Sequence, residues 1–124
     1  MKKTIYTLAQ IKKLLFPIFA EYHIKKAILF GSYAKNCAVP NSDVDILVDS
    51  GLRGLAFFGL LESVAEALDK NVDLLDVSQV IPNSQVDKEI QNTGIMIYGW
   101  ERFTEDLPSL KNEIEKFLWT KSDE

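Results

Sequence analysis

Residues 42 to 48 read Ser-Asp-Val-Asp-Ile-Leu-Val. Val44, Ile46 and Val48 alternate with Asp43, Asp45 and Leu47, the period of two that belongs to a β-strand with one apolar face. On such a strand residues i and i+2 point the same way, roughly 7 Å apart, so Asp43 and Asp45 stand side by side at its start. Two like charges placed this way repel unless something cationic lies between them. The chain must therefore fold around a strand with core on one face and a cation site on the other. Magnesium suits these donors, because it takes hard oxygen ligands and is commonly shared between carboxylates and substrate phosphates.

The segment before this strand supplies a partner for the cation. Ala27-Ile28-Leu29-Phe30 reads as a buried strand that ends at Gly31-Ser32. Glycine lets a backbone approach a ligand closely. A short helix beginning at Ser32 would aim unsatisfied N–H groups at an anion, and the Ser32 hydroxyl adds a further donor. If the two strands are antiparallel neighbours, the Gly31 turn and the start of the second strand meet at one end. Phe57, Phe58, Leu60, Leu61, Val64, Ala65 and Leu68 mark a helix long enough to cross over and set a third strand, Val72 to Val77, parallel to the second. Asp73 then arrives beside Asp43 and Asp45, whereas Asp76 falls on the opposite face roughly 10 Å further along. A third carboxylate at the pair offers a ligand and a base for an attacking hydroxyl. A phosphate cradle beside a metal pair is the apparatus of phosphoryl or nucleotidyl transfer.

The rest of the chain completes an α/β (α+β) reading: a small mixed sheet of about four strands with flanking helices. From Thr7, Leu8, Ile11, Leu14, Leu15, Ile18 and Phe19 recur at helical spacing, and Pro17 is expected to kink that helix or to start a second one. Pro82-Asn83-Ser84 opens a short helix to about Gln91, and Ile95 to Tyr98 forms a fourth strand. Leu107, Leu110, Ile114, Phe117 and Leu118 place a last amphipathic helix at about 106–119, docked on its own domain or at an interface. One domain over 1–124 is expected, since 124 residues at 47% apolar bury a sufficient core without staples.

Charge narrows the partners. The net charge is −4, with six lysines against one glutamate in residues 1–26, three basic against eight acidic groups in 27–76, and five against nine in 77–124. Non-specific nucleic-acid affinity comes from many Lys and Arg contacts to phosphate, so a free-standing nucleic-acid binder is not expected. The single cysteine, Cys37, suits a reducing compartment. With no signal-peptide core and no apolar run near the ~20 residues of a bilayer span, the expected location is cytoplasmic, with no membrane partner.

Gly31-Ser32, ten residues, then Asp43-Val44-Asp45 resembles the signature of the polymerase β-type nucleotidyltransferase superfamily. Val72-Asp73-Leu74 looks like its third-carboxylate strand, and Ala27 to Phe30 and Ser42 also match. The resemblance runs from the N-terminal helix to Ile95–Tyr98, at the length of the minimal nucleotidyltransferases, many of which are antitoxins of a HEPN-type ribonuclease. It implies the palm-like nucleotidyltransferase fold and transfer of a nucleoside monophosphate from a triphosphate, ATP, to a hydroxyl, with two magnesium ions. For this chain it implies a protein adenylyltransferase that modifies a tyrosine of a HEPN toxin in a hetero-oligomer. Asp43, Asp45 and Asp73 would be the catalytic and metal-binding residues. Gly31, Ser32, Lys35 and Ser42 would bind the nucleotide. Two Mg²⁺ would turn the local −3 of the carboxylates into +1.

One departure stands out: Lys35-Asn36 replaces the usual Arg-Gly. Asparagine tolerates a left-handed backbone, but lysine keeps the charge without the planar fork. Ser42 also reads as a local turn cap, Arg53 as a further triphosphate or partner contact, and His23 and Cys37 as incidental. Two other functions fit the same motifs. A transferase acting on a small aminoglycoside-like hydroxyl compound would need a homodimer to wall its acceptor site. A non-catalytic antitoxin would bind and mask its partner.

Overall fold

The structure, a computed structural model, describes residues 4–99. Its elements in order are α1 (Leu8–Glu21), β1 (Lys26–Phe30), β2 (Val44–Asp49), α2 (Leu55–Leu68), β3 (Val72–Asp76), a 3₁₀ turn (Val77–Gln79), α3 (Gln85–Thr93) and β4 (Ile95–Tyr98). They form a mixed four-stranded sheet in the order β3-β2-β1-β4. β1 is antiparallel to both β2 and β4, and β2 is parallel to β3. The helix expected at 106–119 lies outside the described residues.

Alternation divides the sheet into two faces. Ala27, Leu29, Val44, Ile46 and Val48 are fully buried and join Ile11, Leu15 and Phe19 of α1 and Leu60, Val64 and Leu68 of α2 in one core. Each helix contributes residues three or four apart, a single stripe that covers the sheet. The opposite face carries Phe30, Asp45 and Leu47, and Phe30 pairs directly across from Asp45. α3 packs on that second face against β1.

Local chemistry sets the ends. Thr7 caps α1 through a reciprocal pair with Gln10, the Thr7 hydroxyl accepting from Gln10 N–H and the Gln10 side chain accepting from Thr7 N–H. Ser84 accepts from Asp87 N–H at the start of α3. α2 ends at Asp69 in the left-handed conformation. The next residue, Lys70, is buried and donates from Nζ to Pro40 O at 2.8 Å, tying the loop ahead of β2 to the α2–β3 turn.

Two local expectations are corrected. Pro17 does not begin a second helix: α1 runs through it from Leu8 to Glu21. It occupies the exposed side, so the hydrogen bond it forfeits faces water, while Ile11, Leu15 and Phe19 hold the buried stripe across it. No helix follows Gly31 either: the segment makes one turn, with Lys35 N–H on Gly31 O and Cys37 N–H on Ser32 O, both 3.0 Å. Asn36 at φ 57° then turns the chain away before helix propagation can repay its nucleation cost.

Candidate functional site

β2 and β3 run in register, Val44 with Val72 and Asp45 with Asp73, so the two aspartates sit side by side on adjacent strands. Val44 N–H donates to Asn71 O at 3.1 Å, which holds this register at the strand entrance. Asp43 shares the face of Asp45, one pleat earlier. Asp43 and Asp73 are exposed and Asp45 is half-buried. The crossover α2 thus brings together three carboxylates that are 30 residues apart in the chain, from Asp43 to Asp73. Burial, and then the charges of Asp73, Asp43 and Glu89, push the Asp45 carboxyl up to about 6 from its ordinary 3.8. Such a row favours a bound cation, which would relieve the repulsion. Among the described residues no group of three or more His, Cys, Asp or Glu side chains is arranged to hold a metal ion by itself. An open row of hard oxygen donors fits magnesium, which completes its shell with water and substrate phosphate.

The Gly31 turn abuts this row. Gly31 is buried at φ 75°, and a Cβ there would run into Asp45 Oδ2, so both the backbone conformation and the space demand glycine. Its N–H is committed to Thr93 Oγ1 at 3.3 Å, and the Thr93 hydroxyl donates to Glu89 O at 2.7 Å. Among the described residues the next three N–H groups, of Ser32, Tyr33 and Ala34, carry no hydrogen bond. The donors left for an anion are therefore those of residues 32 to 34, and at Gly31 the turn comes close to Asp45.

Other candidates are placed less centrally. Lys35 is paired with Glu89 at 3.5 Å, with both side chains partly exposed. The Ser42 hydroxyl accepts from Val39 N–H at 2.9 Å, a local turn cap. Arg53 lines a cavity of about 240 Å³ with Phe57, Asp76 and Gln79, at the far end of β2 and β3. Asp76 pairs with Val48 rather than with the carboxylate row. Sequence reading missed Glu89 and Thr93, because only the packing of α3 on β1 brings them to the turn; the helical i, i+4 spacing was the sole hint.

The profile of the family described as "Polymerase beta, Nucleotidyltransferase" matches residues 12–102, which span every candidate residue of the site. The chain belongs to this nucleotidyltransferase family. A protein of Methanocaldococcus jannaschii, named as a candidate protein adenylyltransferase, is 37% identical to this nucleotidyltransferase over 76 residues, 59% of this chain and 81% of its own. A crystal structure described as a toxin–antitoxin with AMP-PNP superposes with a TM-score of 0.61 at 24% identity, covering 90% of this chain and 92% of its own. A tri-AMPylated Shewanella oneidensis HEPN toxin in complex with an MNT antitoxin gives a TM-score of 0.57 at 21% identity, covering 94% and 93%. These two likenesses establish the fold: a polymerase β-like nucleotidyltransferase sheet with its helices. Within the described residues of this nucleotidyltransferase no helix is long and apolar enough to cross a membrane.

Proposed function

We propose that this nucleotidyltransferase moves the adenylyl group of ATP onto a hydroxyl of a partner protein. The observation that carries the reading is the register of Asp45 with Asp73 beside the Gly31 turn. It joins a cation site, a phosphate cradle and a spare carboxylate at one end of the sheet. Asp43, Asp45 and Asp73 would hold magnesium, and when bound it supplies charge neutralisation at the transferring phosphate. The N–H groups of residues 32 to 34 and the Ser32 hydroxyl hold the triphosphate, with Lys35 at its edge and Ser42 shaping the loop that delivers Asp43. Asp73 takes the proton of the attacking hydroxyl.

The partner we propose is a HEPN-type toxin, modified on a tyrosine, with this chain as its cytoplasmic antitoxin and residues 1–124 acting as one nucleotidyltransferase domain. The name carried by the Methanocaldococcus jannaschii relative and the AMPylated toxin of the Shewanella oneidensis complex support that choice. No nucleic acid is required by it, and the toxin, rather than a second copy of this chain, completes the acceptor site. The test is transfer of label from ATP labelled at the α-phosphate to a co-expressed partner in magnesium. The pair Asp43→Ala with Asp45→Ala is expected to abolish transfer. Label that persists in the double variant would sink the mechanism, and full neutralisation of the partner by that variant would support simple masking instead.

A further inference from the structure

The carboxylate row is held unevenly. Asp45 lies inside β2, between Phe30 of β1 and Asp73 of β3, so pairing on both sides fixes it. Asp43 stands one residue ahead of β2, exposed and outside both registers. Its place is set by the loop that delivers it. Residues 39–42 form a tight turn: Ser42 N–H donates to Val39 O and Val39 N–H donates to Ser42 Oγ, both at 2.9 Å. Pro40 takes the second position of that turn, where its fixed φ is favoured. Both bonds stay inside the turn, and Val39, Pro40 and Asn41 are exposed. Among the described residues the one hydrogen bond that joins residues 38–43 to another part of the chain runs from Lys70 Nζ to Pro40 O, at 2.8 Å.

Lys70 is firmly seated at its own end. Its N–H donates to Ala65 O at 3.3 Å, closing the end of α2, and the next residue, Asn71, accepts from Val44 N–H. The side chain is 3% exposed. Burying an ammonium is costly unless it is bonded, and a methionine would fill the same space without that cost. What an apolar side chain cannot do is hold a carbonyl of an exposed turn. The spacing shows what the bond joins: Pro40 stands three residues before Asp43, and Lys70 three before Asp73. The tie bridges the two segments that lead into the row.

We propose that Lys70 is a positioning residue: by clamping the 39–42 turn to the end of α2 it fixes Asp43 against Asp45 and Asp73, and so sets the spacing of the cation site. The inference rests on the magnesium-dependent adenylyl transfer proposed above. Without the tie Asp45 and Asp73 keep their register while Asp43 moves with its turn. The loss then falls on cation binding and on kcat, and the N–H groups of residues 32 to 34 keep their hold on the triphosphate.

The test compares the wild-type full chain with Lys70→Met. In metal-free protein the backbone amides of Val39, Asn41, Ser42 and Asp43 are expected to lose NMR order parameter, while those of β2 and β3 keep theirs. Mn²⁺ uptake without nucleotide, followed by electron paramagnetic resonance, should weaken about tenfold, the usual scale for losing a group that orients a metal ligand. In transfer of label from ATP to the co-expressed partner, kcat should fall severalfold with the KM for ATP within about twofold of wild type. Asp76→Asn, expected to weaken the fold at the far end of the same strands, should leave Mn²⁺ uptake unchanged and so separates positioning from lost stability. If Lys70→Met does not fold, Lys70→Gln, which keeps a shorter donor in the same space, carries the same readouts at smaller size. Unaltered amides in the 39–43 segment, or Mn²⁺ affinity equal to wild type, would overturn the proposal and leave Lys70 a structural residue only. Weakened Mn²⁺ uptake in the variant, with no label moved from ATP even by the wild type, would keep the assignment of Lys70 and remove the adenylyl-transfer reading, so the two failures are distinct.

Discussion

β2 and β3 carry aspartates at both ends, and the two ends treat them in opposite ways. At the entrance Asp43, Asp45 and Asp73 crowd one another, and Asp45 is pushed up to about 6. At the exit Asp76 is 5% exposed, yet both of its oxygens are satisfied. Ser50 donates its N–H and hydroxyl to Oδ1 at 3.0 and 2.6 Å, and Ser78 donates the same pair to Oδ2 at 3.0 and 2.7 Å. Burial alone would raise that carboxyl, but the four donors outweigh it and hold it down at about 2. One end stores repulsion that a cation would release; the other spends its charge on closing the 50–54 loop and the 3₁₀ turn. Burial and charge count alone do not separate a ligand site from a structural aspartate. The donors around each carboxylate do.

The sharpest way to break the comparison is to remove one carboxylate from each end. Asp45→Asn should lower label transfer on the order of 10³-fold, as expected when about 4 kcal/mol of transition-state stabilisation is lost. In metal-free protein at pH 7 it should also raise the melting temperature by a few degrees, because a like charge has gone. The wild-type acid is favoured in its protonated form by folding. Its contribution in metal-free protein is therefore present below about pH 4 and lost as the pH rises through about 6, and Asp45→Asn should flatten that fall in a melting series. Asp76→Asn should do the reverse: transfer within about twofold of wild type, and stability lower by about 2 kcal/mol in urea unfolding at pH 7. The Asp76 contribution is present above about pH 4 and is lost as the pH falls through about 2, so the variant should lose its deficit in acid. Unchanged stability at neutral pH in Asp76→Asn would erase the distinction between the two ends.

That distinction was partly legible before any coordinates. The alternation through Asp43, Asp45 and Leu47 and the crossover length of 55–68 place Asp73 on the face of Asp45 and Asp76 on the other, because strand period and crossover handedness leave few options. Only the local half of what Asp76 does was legible: Ser78 lies two residues on, whereas Ser50 reaches the carboxylate only when the parallel pair forms. The same applies to Glu89 and Thr93, whose i, i+4 spacing marks one helix face without showing what that face meets, and to Lys70, whose partner Pro40 is reached only through the fold. The missing helix after Gly31 and the unbroken α1 have a different cause. In both, local propensity was overridden, by the left-handed Asn36 in one case and by a packed stripe opposite Pro17 in the other.

Between the two ends in size of effect stands the link from α3 to the Gly31 turn. Thr93→Val keeps the shape but leaves Gly31 N–H without its acceptor. The loss of one such hydrogen bond, about 1 kcal/mol, corresponds to roughly a fivefold change. It is expected in the KM for ATP with little change in kcat, because under the proposed function the turn holds the nucleotide and not the acceptor. A fall in kcat with KM unchanged would mean that α3 positions Asp45 rather than the cradle.

The smallest effect is expected at Lys35, where the side chain is 48% exposed and its partner Glu89 is 39% exposed. An ion pair this open contributes at most about 0.5 kcal/mol, so Lys35→Ala should leave the urea midpoint almost unmoved. Its effect on the nucleotide differs in kind. Glu89 contributes to the negative field at Asp45, and Lys35, paired with Glu89, offsets it at the edge of the turn proposed to receive a triphosphate. Lys35→Ala should raise the KM for ATP a few-fold at low ionic strength and less at high salt, since screening removes an exposed charge over about 8 Å at physiological salt. Lys35→Arg offers a planar fork to phosphate and should lower that KM by about twofold. Glu89→Gln should move it in the same direction by freeing Lys35 and weakening the field at once. If Lys35→Ala and Lys35→Arg both match wild type at low salt, Lys35 belongs with the structural end of the comparison, as one half of a surface pair and no part of the site.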